Sequence, residues 1–228
     1  MQIHGLQKMT LLDYPGKVAC TVFLGGCNFR CPFCHNGELL DGQFPPLMDE
    51  KELLAFLQKR QGLLDGVCIT GGEPMLRPEL PGLIRQIKAL GYSVKLDTNG
   101  SFPHKLKELI DDGLLDYVAM DIKNSPRRYS ETAGREVDLD AVKESVHLLL
   151  EGRVDYEFRT TVVAEFHDEE SFRDIGQWIR GARRYFLQCY TYRDTVLQQD
   201  LTPPSKESLE QYAKISAQYV QDVGIRGV

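Results

Sequence analysis

The sequence predicts an α/β fold built on an open parallel sheet. Short β-branched or apolar runs alternate with stretches of helical periodicity about six times along the chain, the pattern of successive strand–helix units. Several of those runs end in loops carrying Cys27, Gly71, Asp97 and Asp121, and parallel α/β folds bind ligands at that edge of the sheet. A chain of 228 residues with 42% hydrophobic content can bury one sizeable core. Six units fall short of the eight strands of a closed barrel. That leaves a partial (β/α)6 TIM-like barrel or a doubly wound open sheet. Residues 1–228 are expected to form a single domain, with its core over about 17–192 and a C-terminal helix over about 205–220.

The elements follow in order. Asp13-Tyr14-Pro15-Gly16 holds a Pro-Gly turn, and Val18–Leu24 is the first predicted strand. Asp49-Glu50 opens a helix running to Arg60, with Leu53, Leu54, Phe56 and Leu57 at helical spacing. Gly66–Thr70 is a short buried strand that ends at Gly71-Gly72-Glu73-Pro74. Glu79–Leu90 is helical, with Leu80, Leu83, Ile84 and Ile87 on one face and Gly91 as its cap. Tyr92–Leu96 is a strand ending at Asp97-Thr98-Asn99-Gly100, and a helix over Leu106–Asp112 follows. Asp116–Met120 is a strand ending at Asp121-Ile122-Lys123. Asn124–Arg135 is polar, rich in arginine and loop-like, and Leu139–Leu150 is helical. Tyr156–Val163 alternates as a strand, Asp168–Gly181 is a helix and Arg184–Tyr190 a strand. Thr202-Pro203-Pro204 is a break, and Ser205 caps a helix that closes the chain near Val220.

Composition excludes several classes. Lys+Arg number 27 against Asp+Glu 33, a formal charge of −6 without a basic block, which argues against nucleic acid as a partner. No apolar run approaches the roughly 20 residues of a membrane helix. The start, Met1-Gln2-Ile3-His4-Gly5, lacks a secretory apolar segment. Cysteines without an export signal point to a reducing, cytoplasmic setting.

The stretch Gly25–Asn36 places Cys27, Cys31 and Cys34 at the spacing C-x-x-x-C-x-x-C, in a loop directly after the first strand. Three thiolates in one short loop can hold an iron–sulfur cluster by three of its irons and leave the fourth open. Zinc wants four ligands, usually as two spaced pairs, and no second pair exists here. Cys20, Cys68 and Cys189 stand alone in apolar runs, as buried inert cysteines do. His35 follows Cys34 too closely for the usual ligand spacing.

The loop resembles the signature of the radical S-adenosylmethionine (SAM) enzymes. In that superfamily such cysteines bind one 4Fe–4S cluster, whose open iron chelates the amino and carboxylate groups of SAM. Reductive cleavage of SAM then gives methionine and a 5′-deoxyadenosyl radical. Gly71-Gly72-Glu73-Pro74, which alone is only a turn, is similar to the superfamily's motif for the SAM amino group. The resemblance also favours the partial barrel over the doubly wound sheet.

Within the superfamily the chain resembles the activating enzymes of glycyl-radical enzymes. It is most similar to activating proteins of anaerobic ribonucleoside-triphosphate reductase in their longer form, and next to pyruvate formate-lyase activators. Their Asp-Thr-Asn-Gly and Asp-Leu-Lys motifs match Asp97-Thr98-Asn99-Gly100 and Asp121-Ile122-Lys123. The resemblance implies SAM contacts at Gly71, Gly72, Glu73, Asp97, Thr98, Asp121 and Lys123, and Phe33 is expected either to pack against adenine or to anchor the loop in the core. It further implies a monovalent cation at Asp97, Thr98 and Asp121, and a flavodoxin- or ferredoxin-type reductant. Asp13, in an Asp-x-Pro-Gly segment like theirs, is expected to face the substrate loop. Arg159, in a strand, is expected to pair with a carboxylate or the ligand. A late SAM-contacting histidine of these relatives is absent, which leaves Tyr190 or Tyr192 to replace it. No extra cysteine lies between Cys34 and Cys68, so a second cluster is not expected. The expected function is an activase that makes a glycyl radical on a partner enzyme. The alternatives are a radical SAM enzyme for a small molecule and a non-catalytic iron–sulfur electron carrier.

Overall fold

The structure, a computed structural model, describes residues 1–41 and 44–227. In chain order the elements are β1 (Gln2–Ile3), β2 (Gly5–Thr10), β3 (Ala19–Leu24), β4 (Met48–Asp49), α1 (Glu50–Gln58), β5 (Gly66–Gly71), α2 (Leu80–Ala89), β6 (Ser93–Thr98) and α3 (Pro103–Asp111). There follow β7 (Tyr117–Asp121), α4 (Tyr129–Ala133), α5 (Leu139–Leu150), β8 (Asp155–Val162), α6 (Glu169–Trp178), β9 (Arg184–Cys189), α7 (Lys206–Ser216) and β10 (Asp222–Arg226). One sheet runs β10-β9-β8-β7-β6-β5-β3-β2, and β1 pairs separately with β4. Every neighbour in the large sheet is parallel except β2, which is antiparallel to β3. The six strands expected from sequence are β3 and β5 to β9, in that order, and the sheet ends in two edges rather than closing.

Three expectations need correction. The chain does not close on a helix: α7 stops at Ser216, and Asp222–Arg226 adds a parallel strand beside β9. With only two apolar residues, on either side of a glycine, Val223-Gly224-Ile225 gives little strand signal in the sequence. The strand is fixed by Val223 and Ile225 packing on the core, while Gly224 lies against the Phe186 ring. At the other edge, β2 extends the sheet before the first expected strand. The polar Asn124–Arg135 stretch is also not a plain loop. Asn124 is fully buried and donates to Thr132 Oγ1 and to the Phe166 carbonyl, both at 2.8 Å. That buried amide folds the segment back into α4.

The two faces of the sheet differ. Alternate strand residues such as Val22, Ile69, Leu96, Val118, Phe158 and Leu187 face the helices and are fully buried. The inner face instead carries Thr21, Lys95, Asp97, Glu157 and Arg159. Its lower end is plugged by the segment before β3. Tyr14 is buried against Tyr117, with ring centroids 5.9 Å apart, and packs on Gly66, the first residue of β5. Asp13 accepts from Thr21 Oγ1, and its main-chain carbonyl accepts from the Lys95 ammonium. Asp13 therefore sits at the end of the barrel opposite the cluster loop and does not face a substrate there.

Higher on the inner face, Glu157 accepts from Arg226 at 2.8 and 3.0 Å and from the Tyr117 hydroxyl at 2.8 Å. Burial raises the Glu157 carboxyl, and Arg226, Arg159 and Lys95 more than reverse that rise. Arg226→Met leaves this charge without its forked partner. The expected cost is roughly 1–3 kcal/mol, below the range for a fully buried pair because the Arg226 side chain is 36% exposed. Arg226→Met combined with Glu157→Gln should recover part of it. Urea unfolding midpoints of the two variants check this, and equal midpoints in parent and Arg226→Met would contradict it.

Candidate active site

The loop Gly25–Asn36 follows β3 and is held by its backbone. Gly26 N–H donates to the Leu39 carbonyl at 2.6 Å, and the Gly26 carbonyl accepts from Glu73 N–H at 2.9 Å. A Cβ on Gly72 would lie 2.0 Å from the Gly26 carbonyl oxygen, and one on Gly71 would lie 2.3 Å from the Leu24 carbonyl oxygen. Gly71 also has φ +117, open to glycine alone. The glycine pair was expected to let a ligand approach. It lets the end of β5 approach the cysteine loop, and both glycines still line the cavity beside it. On the other flank a Cβ on Gly134, just after α4, would lie 2.0 Å from the Arg30 carbonyl oxygen. Arg30 N–H donates to Ala133 O at 2.9 Å.

Side chains complete the frame. Asn99 Nδ2 donates to Asn28 Oδ1 at 2.9 Å, and Asn28 Nδ2 to Ser101 Oγ at 2.8 Å. Phe29 N–H donates to Cys27 Sγ at 3.4 Å. Phe33 is buried against Phe166 with centroids 6.0 Å apart, which anchors the loop in the core. The three arginines of the 124–135 stretch also serve structure. Arg127 pairs with Glu170, Arg128 with Glu131, and Arg135 donates to the Asn28 carbonyl.

These loops enclose a cavity of about 240 Å³ at the C-terminal ends of β3 and β5 to β9. Cys27, Cys31 and Cys34 line one side of it. Phe33, Gly71, Gly72, Asp97, Thr98, Asp121, Lys123 and Arg159 supply other walls. Cys20, Cys68 and Cys189 lie outside those walls. Asn36, Asn99, Thr161 and Gln188 also line it and were not singled out from sequence, and so does His35, which was set aside as a metal ligand. The only advance sign of Asn99 was its place in the Asp-Thr-Asn-Gly run. Gln188 had the inward parity of its strand.

Burial raises all three thiols, Cys31 to about 12, and the Lys123 ammonium opposes the rise at each. A bound metal deprotonates its thiol outright, so raised thiols do not exclude ligation. Among the described residues no three His, Cys, Asp or Glu groups converge as one ion requires. A cluster needs no such convergence, because each thiolate binds a different iron. The donor set therefore fits a cluster better than a single zinc ion.

Opposite the thiols lies a knot of charge. Arg159 bonds Asp97 Oδ2 at 3.1 Å and Asp121 Oδ1 at 2.9 Å. Lys123 bonds Asp121 Oδ2 at 3.0 Å. Burial raises the Asp121 carboxyl, but Arg159 and Lys123 outweigh it and bring it to about 2. Lys123 is held charged, as Asp121 and Cys31 overcome the effect of burial.

Two expectations fail on this geometry. Glu73 does not line the cavity; it is fully buried and accepts from Met75 N–H, Asn99 N–H and the Thr98 hydroxyl at 2.8 to 3.1 Å. Its carboxylate ties the turn after β5 to the end of β6 and is turned away from any ligand. Tyr190 and Tyr192 do not replace the late histidine. The Tyr190 ring is buried, 5.9 Å from the His35 ring, and the Tyr192 hydroxyl bonds Gln199 outside. Gln188 reaches the cavity instead.

A partial barrel with three loop cysteines at the mouth of its sheet defines a class. The chain belongs to the radical SAM superfamily, whose family model matches residues 21–179. Within it the chain groups with the activating enzymes of glycyl-radical enzymes. It is 31% identical over 235 aligned positions to a Methanocaldococcus jannaschii protein provisionally named a glycyl-radical enzyme activating enzyme, covering 99% of this chain and 96% of that one. It is 32% identical to the pyruvate formate-lyase-activating enzyme of Clostridium pasteurianum over 54% of this chain and 52% of that one. A crystallised domain of a pyruvate-formate lyase-activating enzyme from Bacteroides vulgatus shares the fold, with TM-score 0.58 and 20% identity over 71% of this chain and 99% of that one. No helix among the described residues is long and apolar enough to cross a membrane.

Glu73 yields a test. Burial lifts its carboxyl from 4.5 to about 7, against the pull of its donors. The folded chain then keeps a proton that the unfolded chain has released. Glu73 should therefore lower stability progressively as pH rises from 4.5 to about 7. Glu73→Gln removes that slope, but its amide faces a backbone N–H, costing roughly 1–3 kcal/mol at mildly acid pH. Urea unfolding across the window checks both. A variant as stable as the parent throughout, with the same slope, would refute this account of Glu73.

Proposed function

We propose that this chain is an activase that holds a 4Fe–4S cluster on Cys27, Cys31 and Cys34, cleaves SAM and generates a glycyl radical on a partner enzyme. The observation that supports it most is that the three thiols and the knot of Asp97, Arg159, Asp121 and Lys123 are walls of one cavity. When bound, the cluster supplies the electron that splits the SAM sulfonium, and the 5′-deoxyadenosyl radical so formed takes a hydrogen atom from a glycine.

The chain's own residues bind and orient. Lys123 and Arg159 offer positive charge to the SAM carboxylate, and Asp97 and Asp121 hold those two cations in place. The main chain at Gly71 and Gly72 offers polar groups to the same end of the ligand. Thr98, with its hydroxyl committed to Glu73, presents the rest of its side chain to the cavity. Phe33 gives an apolar wall. A monovalent cation beside Asp97 and Asp121 would compete with Arg159 for the same oxygens.

The relatives support a glycyl-radical enzyme as the class of partner. Similarity to the named activating protein of M. jannaschii spans both chains almost entirely, so it extends beyond the shared cluster motif. The resemblance in sequence favours anaerobic ribonucleoside-triphosphate reductase as the partner, with a flavodoxin- or ferredoxin-type protein as reductant.

Two measurements test this reading. Protein reconstituted without oxygen should bind about four irons, and Cys31→Ala should abolish loading while Cys68→Ala should not. Equal iron loss from both would mean that the ligands are misassigned. A peptide copied from a glycyl-radical loop, deuterated at the glycine α-carbon, should pass its label to 5′-deoxyadenosine. SAM cleavage with no label from any such peptide or intact partner would favour a small-molecule substrate. A reduced cluster that never cleaves SAM would leave an electron carrier.

A further inference from the structure

Every oxygen of the two cavity carboxylates faces a fixed side-chain cation. On Asp97, Oδ1 lies 3.3 Å from Lys95 Nζ and Oδ2 lies 3.1 Å from Arg159. On Asp121, Oδ1 lies 2.9 Å from Arg159 and Oδ2 lies 3.0 Å from Lys123. Arg159 and Lys123 line the cavity, whereas Lys95 approaches Asp97 from beneath it. The Lys95 side chain is only 3% exposed. Its ammonium is gripped between the Asp97 carboxylate and the Asp13 carbonyl of the lower plug, and it lies 5.7 Å from the centre of the Tyr117 ring.

These residues do not fit the monovalent cation that the sequence resemblance implies. The Thr98 hydroxyl donates to Glu73 and accepts from Gly100 N–H, so its lone pairs are not aimed at a shared ion. No three acidic, imidazole or thiol groups converge on one point among the described residues. Each of the four carboxylate oxygens already has a fixed cation, so a further ion would have to displace one of them. A further cation would add like-charge repulsion in a partly desolvated site, where such terms are large.

We propose that Lys95 is a positioning residue that takes the place of a monovalent cation. Its tethered ammonium neutralises Asp97 from below, and the chain binds SAM without sodium or potassium. The inference rests on the reading of the cavity as a SAM site. It adds that the counter-charge is covalently part of the chain. The buried ammonium also fixes which way the Asp97 carboxylate turns, because Oδ1 is drawn down and Oδ2 across to Arg159.

The test is SAM affinity of the full cluster-loaded chain, with sodium and potassium either present or replaced by tetramethylammonium. Parent protein should bind SAM equally in both buffers. Lys95→Met should bind SAM roughly tenfold more weakly in tetramethylammonium, with potassium restoring the affinity. Lys95→Arg, which keeps the charge, should remain indifferent to the cation. Loss of parent affinity in tetramethylammonium would overturn the proposal and leave the SAM site intact. A folded Lys95→Met with no cation response would overturn it as well. Should Lys95→Met not fold, the parent and Lys95→Arg still decide, since cation dependence in either contradicts the proposal. Failure of the loaded parent to bind SAM in every buffer would instead overturn the SAM site, and this inference with it.

Discussion

Arg159 reaches from β8 across β7 to β6, and its guanidinium is shared between Asp121 on β7 and Asp97 on β6. A parallel sheet covered on both faces usually reads as a continuous apolar run. Here the inner face is charged, and a charge taken out of water must be paired to be tolerated. That requirement fixes the register of the sheet. A slip of one residue would send Asp97, Asp121, Glu157 and Arg159 into the helix-facing core and bring Leu96, Met120 and Phe158 inward. The pairs are thus as much a registry device as a ligand site. The same constraint bears on the last strand, since β10 brings Arg226 to Glu157 as its forked partner.

The cysteine loop meets a different constraint. Three thiols can share a cavity wall only if the loop that carries them is packed on both flanks by main chain. On one flank that packing is Gly71 and Gly72 against Leu24 and Gly26, and on the other it is Gly134 against Arg30. Side chains at these glycines would push the loop off its supports by steric contact alone. Glu73 then links this assembly to β6 through Thr98 and Asn99, so the loop, the glycine turn and the Asp97 strand form one hydrogen-bonded unit. Motifs far apart in the chain are therefore parts of a single brace.

Much of this was legible in the sequence, for physical reasons. The six central strands are long, apolar on one face and bounded by turn residues. The cysteine spacing is local, and Asp97 and Asp121 stand at the very ends of their strands. What was not legible depends on tertiary pairing. The strand over Asp222–Arg226 carries only two apolar residues around a glycine and exists because β9 offers it an edge. The helix at Tyr129–Ala133 looks polar because its buried anchor is an asparagine, Asn124. Glu73 could be placed at a strand end but not oriented, because two of its donors, Thr98 and Asn99, lie 25 and 26 positions away. The fate of Asp13 hinged on a lysine, Lys95, that sequence alone could not bury.

A partial barrel also has to explain how a sheet with two edges can enclose anything. The strands do not close it; the loops do. The segment after β9 crosses back to the cysteine loop, where the Thr191 carbonyl meets His35 Nε2 at 2.8 Å and Gln198 N–H donates to the Pro32 carbonyl at 2.9 Å. Thr195 donates to the His35 carbonyl at 3.0 Å, and its own carbonyl leaves no room for a side chain at Gly37. First and last loops of the barrel are thereby clasped above the cavity, while Tyr14 and Asp13 seal it from below. Backbone hydrogen bonds between loops can break and reform without disturbing the paired charges on the strands. The fold so separates two demands on one site. The strands hold the charges in fixed register, and the loops that carry the cysteines form a roof joined by a few hydrogen bonds.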